Sequence, residues 1–402
     1  MAPSETKAFL QEEQHIDSVH QANGVTKPVA AAGGRTGEQV WDTKTQQYHA
    51  GQDWTVLEKF IEDYSVTTNA LGTPWKAKEA AKRAIDRCDH YPPANQEPGK
   101  SSLAKFIWPE AYQQYVGHLL LGNGASELID LITHLAPRGT WKPGPFPTQY
   151  KEYERSAKNY NYKLLAPDSP EKANIICLVN PCNPTGDYLT ISEVKQWIES
   201  NVLPGGFVLV DESMQPWHSP DFRKDSLISQ RSYIEDLYKT TGISVFVIHS
   251  WTKLWSCCGL RLGSVICPTA EDHAQKLKSI QVPWSVNMSA LAFLDSAAND
   301  MEYLEETWKI TPLWRQHTVD KIKEMFPSWE CHGRDFTSWI WVDTNSAEVA
   351  KEAVRLSQSV GMPVRSGTPG YQHHTYIRVA VRNPDLLPTL LNAWKPLLNF
   401  NN

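Results

Sequence analysis

Three short apolar runs set the strongest limit on how this chain can fold: Asn174–Asn180 (NIICLVN), Phe207–Asp211 (FVLVD) and Ser244–Ser250 (SVFVIHS). Each is too short for a comfortable helix and apolar at successive positions, the pattern of strands buried on both faces of a parallel sheet. A helix-like stretch, Thr190–Ser200, lies between the first two, and Thr190 with Glu193 three residues later forms a candidate capping box. Strand, helix and strand in that order predict βαβ units. Polar residues cluster where the runs end: Asn180-Pro-Cys-Asn183, Asp211-Glu212 and Ser250-Trp-Thr-Lys253. In open parallel sheets the carboxyl ends of the strands line the ligand crevice. Three segments distant in sequence are therefore expected to deliver functional groups to one place.

The rest of the chain fits an α/β protein with a large, mostly parallel sheet and a second, smaller α/β unit. At roughly 150 residues per domain, 402 residues suggest two to three folding units. Residues 1–50 show no sustained period and are expected to form a partly flexible arm. Residues 51–85 are assigned to the small unit, 86–290 to the large unit, and 291–402, with Trp339–Asp343 (WIWVD) and Tyr376–Val381 (YIRVAV), to the small unit again. Ala125–Leu135 places an apolar face directly after Gly122-Asn123-Gly124, so a helix is expected to start near Ser126. The Pro-rich segment Tyr91–Lys100 reads as a loop.

Composition excludes several functions. A net charge of −6 leaves no excess of cations for a nucleic-acid scaffold, and no apolar run approaches the roughly 20 residues that span a bilayer. The opening MAPSETKAFLQEEQ lacks the apolar core of a secretory signal, so the expected address is the cytosol. Seven dispersed cysteines do not read as a disulfide framework.

Lys253 directly follows an apolar strand, where partial desolvation lowers an amine's pKa and suits Schiff-base chemistry. Ser250, Thr252 and Arg261 supply hydroxyls and a guanidinium fork for a phosphate, and the helix start at Ala125 and Ser126 adds free amides for the same anion. Asp211, at another strand end, could keep a pyridine nitrogen protonated. A Schiff-base lysine, a phosphate cradle and a pyridinium carboxylate together specify pyridoxal 5'-phosphate.

These residues resemble a known family. NPCNPTG (Asn180–Gly186), the Asp211-Glu212 strand end, and S-W-T-K followed by G-L-R-L-G resemble the class I/II aminotransferases of fold type I. DYSVTTNALGTP, YPPANQEP, LGNGASELIDLI, VPWSVN and YIRVAVR extend the similarity from about Asp63 to Leu397, and resemble the branch of histidinol-phosphate aminotransferases and threonine-phosphate decarboxylases. The resemblance implies that Lys253 carries the cofactor and Asp211 pairs with its pyridine nitrogen. It further implies that Asn183 meets the phenolic oxygen, that Tyr150 stacks on the ring, and that Ala125, Ser126, Ser250, Thr252 and Arg261 hold the phosphate. Tyr91 matches a tyrosine that reaches the phosphate from a neighbouring subunit, which implies a homodimer. Arg378 and Arg365 match arginines for the acidic groups of an anionic amino substrate, with a 2-oxo acid as second substrate, and Asn69 would face the substrate.

Two positions depart from that pattern. Met214 stands where the family usually has tyrosine, and Ala32-Gly33-Gly34 stands where the decarboxylase branch often has His-Gly-Gly. Competing readings are simpler at several other positions. Arg365 and Arg378 could form structural ion pairs, and Cys257-Cys258 are expected to be small core residues. His373-His374 are expected in a surface loop, and the sixteen tryptophans in core or interface packing. The residues together predict an aminotransferase. The rivals are a decarboxylase of a phosphorylated amino acid and a noncatalytic regulator on the same fold.

Overall fold

The computed structural model describes residues 48–399, so nearly all of the expected arm, and Ala32-Gly33-Gly34 with it, lies outside the described residues. The first sheet contains β1 (Leu119–Asn123), β2 (Thr140–Pro143), β3 (Lys163–Leu164), β4 (Ala173–Val179), β5 (Val202–Asp211), β6 (Ser244–Ser250) and β7 (Leu262–Ile266). Its strand order is β1-β7-β6-β5-β4-β2-β3. The three apolar runs are the neighbouring parallel strands β4, β5 and β6, while β7 runs antiparallel to β6 and β1. Ile176 and Leu178 pack into the core on one face, and Ile175, Cys177 and Val179 into the core on the other. That two-sided burial is why the runs are apolar at every position and not at alternate ones. β5 begins at Val202 and not at Phe207. Its register with β4 shifts between Ala173 and Ile175, and Gly205 at φ 73° absorbs the irregularity, which interrupts the apolar pattern.

The crossover between β4 and β5 is the helix Ile191–Asn201. Thr190 closes its capping box, with Thr190 N donating to Glu193 Oε2 at 2.7 Å. The helix Ala125–Leu135 also forms where the sequence places it.

The second sheet has β8 (Glu330–His332), β9 (Trp339–Asp343), β10 (Arg365–Ser366) and β11 (Tyr376–Ala380) in the order β10-β11-β9-β8. Ile340, Val342, Ile377 and Val379 pack there against Phe326, Trp329 and Trp394. Trp251, Trp255, Trp339 and Trp394 are fully buried, as core packing expects, whereas Trp54, Trp75 and Trp284 are exposed. The helices Trp75–Ala84 and Met288–Ala298 pack on each other. Both contribute to the core of the large sheet, although the sequence analysis grouped residues 51–85 with the small unit. Among the described residues no helix is long and apolar enough to cross a membrane.

The segment 62–68, which runs from the small sheet toward the large one, is held by a buried arginine. Arg382 donates to the carbonyls of Asp63 (2.6 Å), Val66 (2.9 Å) and Thr68 (2.9 Å) and to Glu62 Oε1 (3.1 Å). Removing a donor from a buried acceptor costs about 1–3 kcal/mol for each acceptor left unpaired. Arg382→Met is expected to lower unfolding free energy by about 3 kcal/mol or more, read as a fall in the urea midpoint; an unchanged midpoint would show that water replaces these bonds.

Candidate active site

Register brings the chemistry together. Val179 of β4 pairs with Asp211 of β5, which pairs with Ile248 of β6, so the carboxyl ends of three strands stop side by side. Lys253 follows in the single helical turn Trp251–Leu254, and its Nζ donates to Ser250 Oγ at 3.0 Å and Thr252 Oγ1 at 3.1 Å. Burial holds the Lys253 amine below the usual lysine pKa, partly opposed by the charge of Asp211. Asp211 accepts from Ser213 N at 2.8 Å and from Tyr153 Oη at 2.9 Å. Burial nevertheless raises its carboxyl above the ordinary aspartate range, against the lowering effect of those bonds and of Lys253. Ser213 Oγ in turn accepts from Ser250 N at 2.7 Å, which ties the end of β5 to the end of β6.

The opposite end of the cavity is a close approach of backbone to guanidinium. Gly124, at φ 82°, precedes the helix Ala125–Leu135; a Cβ there would lie 2.3 Å from Arg261 Nη2. A Cβ at Gly263 of β7 would lie 2.4 Å from Ala125 N. Glycine at both positions lets Arg261 reach the helix N-terminus, where free amides suit an anion. Ala125, Ser126, Tyr150, Asn183, Asp211, Ser250, Lys253 and Arg261 line one cavity of about 120 Å³, together with Thr67, Val179, Ser213 and Met214. Thr252 stands behind it on Lys253.

Arg378 and Arg365 are direct cross-strand partners on β11 and β10. Arg378 donates from Nη1 to Asn183 Oδ1 and from Nη2 to Ser65 O at 2.6 Å. Arg365 donates from Nη2 to the carbonyls of Tyr48 at 2.5 Å and Pro369 at 3.0 Å. Neither forms an ion pair among the described residues. Burial lowers both guanidinium pKa values, that of Arg365 to about 10.

Two expected site residues lie elsewhere. Asn69 does not face the cavity: its Nδ2 donates to Leu254 O at 3.1 Å and Thr307 Oγ1 at 2.8 Å, and its Oδ1 accepts from Leu71 N at 3.1 Å. With the carboxamide engaged on both sides, Asn69 supports the turn that carries Lys253, and Thr67 of the same segment takes the cavity wall. Tyr91 is 76% exposed and its ring stacks on Trp284 at 4.3 Å, outside the cavity of its own chain. Cys257 is buried, Cys258 is exposed, and all seven cysteines are free. His373 and His374 lie in the loop before β11.

Three further residues belong to the site. Tyr153 holds Asp211, and the repeated aromatic of YKEY, one helical turn after Tyr150, was its available signal. Ser213 couples two strand ends and carried no signal. His49 lies with its ring 5.6 Å from Tyr150 and its Nε2 2.7 Å from Glu152 Oε1; His49-Ala50-Gly51 keeps the histidine of His-Gly-Gly that Ala32-Gly33-Gly34 lacks. Glu212, beside Asp211, turns away to accept from Ser226 Oγ and from Leu227 N at 2.9 Å, and burial raises its carboxyl pKa to about 7.

A half-buried lysine, a buried carboxylate without a cationic hydrogen-bond partner, and a glycine-lined anion cradle fit pyridoxal phosphate at its aldehyde, ring nitrogen and phosphate. Comparison with known proteins agrees. Residues 61–393 match the family model of aminotransferase class I and II, and the chain belongs to that family of pyridoxal-phosphate-dependent enzymes. Histidinol-phosphate aminotransferase 1 of Mannheimia succiniciproducens is 27% identical over 278 residues, 64% of this chain and 71% of that protein. Among solved structures, histidinol-phosphate aminotransferase from Sinorhizobium meliloti, in complex with pyridoxal-5'-phosphate, shares the fold with a TM-score of 0.71 at 16% identity, covering 94% of this chain and 99% of that one. L-threonine-O-3-phosphate decarboxylase from Porphyromonas gingivalis does so with a TM-score of 0.66 at 17% identity, covering 84% and 99%. The fold is fold type I, and the protein is an aminotransferase.

The lowered pKa of Lys253 has a measurable consequence in the cofactor-free protein. Competitive amine labelling across a pH series, read by mass spectrometry, is expected to give Lys253 a midpoint below that of exposed lysines such as Lys224. Coincident midpoints would show that water reaches Lys253 freely.

Proposed function

We propose that the enzyme transfers an amino group from a donor bearing two acidic groups, or from a phosphorylated amine, to a 2-oxo acid, as a cytosolic homodimer. The observation that carries this reading is the pair Arg365 and Arg378, two buried guanidiniums set opposite each other without a carboxylate partner among the described residues. An uncompensated buried charge costs several kcal/mol, and a substrate with two anionic groups supplies both counter-charges. The similarity to histidinol-phosphate aminotransferases supports a phosphorylated substrate.

In this reading Lys253 Nζ is the covalent anchor of the cofactor and Asp211 keeps its pyridine nitrogen protonated. Tyr153 and Ser213 fix the orientation of that carboxylate. Asn183, held by Arg378, presents its amide to the phenolic oxygen, and Tyr150 covers one face of the ring. Ser126, Ser250, Thr252, Arg261 and the Ala125 amide hold the phosphate, with Tyr91 of the partner subunit completing the shell. When bound, pyridoxal phosphate supplies an electron sink for the pair left by a broken bond at the substrate α-carbon. Lys253 Nζ, once released, removes the α-proton and later returns it, a role that its lowered pKa suits. Met214 offers no donor at the position where the family usually has a tyrosine hydroxyl.

Borohydride reduction of the holoenzyme is expected to fix the cofactor on one peptide containing Lys253. With a panel of amino acids and phosphorylated amines, oxo-acid or oxo-product release without carbon dioxide is expected, and Lys253→Ala abolishes it. The second reading, a decarboxylase of a phosphorylated amino acid, is favoured by His49-Ala50-Gly51 beside Tyr150; stoichiometric carbon dioxide with an amine product would establish it instead.

The dimer has its own test. Tyr91→Phe is expected to weaken cofactor retention by about 1.5–3 kcal/mol, the range of a hydrogen bond to a charged group, measured by equilibrium dialysis. A fully active monomer in sedimentation would remove the basis for that role.

A further inference from the structure

Arg365 and Arg378 face each other across β10 and β11, an arrangement in which like charges repel. Beside Arg365 lies Tyr371, which is 7% exposed. Its ring lies under the Arg365 guanidinium, with Cζ 5.9 Å from the ring centroid, within the range of a cation–π contact. The edge of Trp341, 6.1 Å away at 86°, holds that ring in place. Burial lowers the Arg378 pKa, and Tyr371 is foremost among the neighbours that oppose that shift. Its neighbour Gly370, at φ 78°, seats the Tyr48 side chain: a Cβ at Gly370 would lie 3.0 Å from Tyr48 Cβ and Cγ. The Tyr48 carbonyl then fixes Arg365 Nη2. Residues 370 and 371 thus set the orientation of Arg365, the cross-strand partner of Arg378.

A phenol has one proton to donate and an oxygen that accepts. Arg378, a donor only, can use the oxygen. Among the described residues no acceptor takes the Tyr371 proton. We infer that Tyr371 is a specificity-determining residue whose hydroxyl donates to the second anionic group of the substrate, beside Arg365, while Arg378 receives the first. This rests on the proposed doubly anionic substrate. A phosphate monoester and a side-chain carboxylate share the needed chemistry, an oxygen anion about one hydroxyl away from the guanidinium.

The test compares two amino donors in the holoenzyme: O-phospho-L-serine, with two acidic groups, and L-alanine, with one. Their half-reactions are followed by the loss of the visible cofactor absorption. Wild-type enzyme is expected to prefer phosphoserine in kcat/KM. Tyr371→Phe is expected to raise KM for phosphoserine about 10- to 100-fold with kcat little changed, and to leave alanine unaffected. An equal loss for both donors, or an unchanged preference, overturns the inference and leaves the proposed function standing. Absence of any wild-type preference overturns both, while transamination itself survives. A measurement on wild-type protein guards against a poorly folded variant: inorganic phosphate is expected to compete with phosphoserine and to leave the KM of alanine unchanged. Equal competition against both donors also overturns the inference.

Discussion

The hydrogen-bond ladder across β4, β5 and β6 is the constraint on which the rest of the molecule depends. Parallel strands covered on both faces cannot carry polar side chains within the sheet, so the polar residues begin where the ladder ends. Because Val179, Asp211 and Ile248 are paired in register, β4 and β5 stop level and β6 two residues beyond, and Asn183, Asp211 and Lys253 meet although sequence separates them widely. A slip of one residue in β5 would turn Asp211 to the opposite face of the sheet. The bond from Ser250 N to Ser213 Oγ locks two of the ends after the ladder has stopped.

The buried charges of the molecule fall into two kinds. Arg382 and Glu212 are fully served: Arg382 by the carbonyls of the 62–68 segment, Glu212 by Ser226 and Leu227. They fasten loops to strands. Asp211, Arg365 and Arg378 are also buried and Lys253 is half-buried, yet their hydrogen bonds go to hydroxyls, amides and carbonyls and not to an opposite charge. Desolvation dominates the pKa displacement of all four. Such uncompensated charge opposes stability; Lys253 and Asp211 line one cavity, and Arg378 joins them through its bond to Asn183 of the same lining, a pattern that marks a functional site.

The small sheet contributes to the active site through a similar economy of segments. Chain from 48 to 69 runs between the two sheets, touching Arg365 through Tyr48, Tyr150 through His49, and the Lys253 turn through Asn69. The bridge between Tyr64 and Val364 sets its course. One connecting segment therefore touches Arg365, Tyr150 and the turn that carries Lys253.

Local pattern alone determined the strands β4 and β6, the capping box at Thr190, the helix from Ala125 and the placement of Asp211, Lys253 and Arg261. Each follows from short-range rules: burial period, capping chemistry, and polar residues at strand ends. The start of β5 escaped because the glycines of its bulge interrupt the period. Asn69, His49, Tyr153 and Tyr371 were decided only in three dimensions. Asn69 carries a carboxamide that suits a substrate as well as a loop, and the carbonyl of Leu254 and the hydroxyl of Thr307, 185 and 238 residues away, claim it. Tyr371 gains its role from two arginines paired across β10 and β11, and that pairing is a property of register between segments. No window of sequence contains it, because the partners that define such residues are supplied by chain folded in from elsewhere.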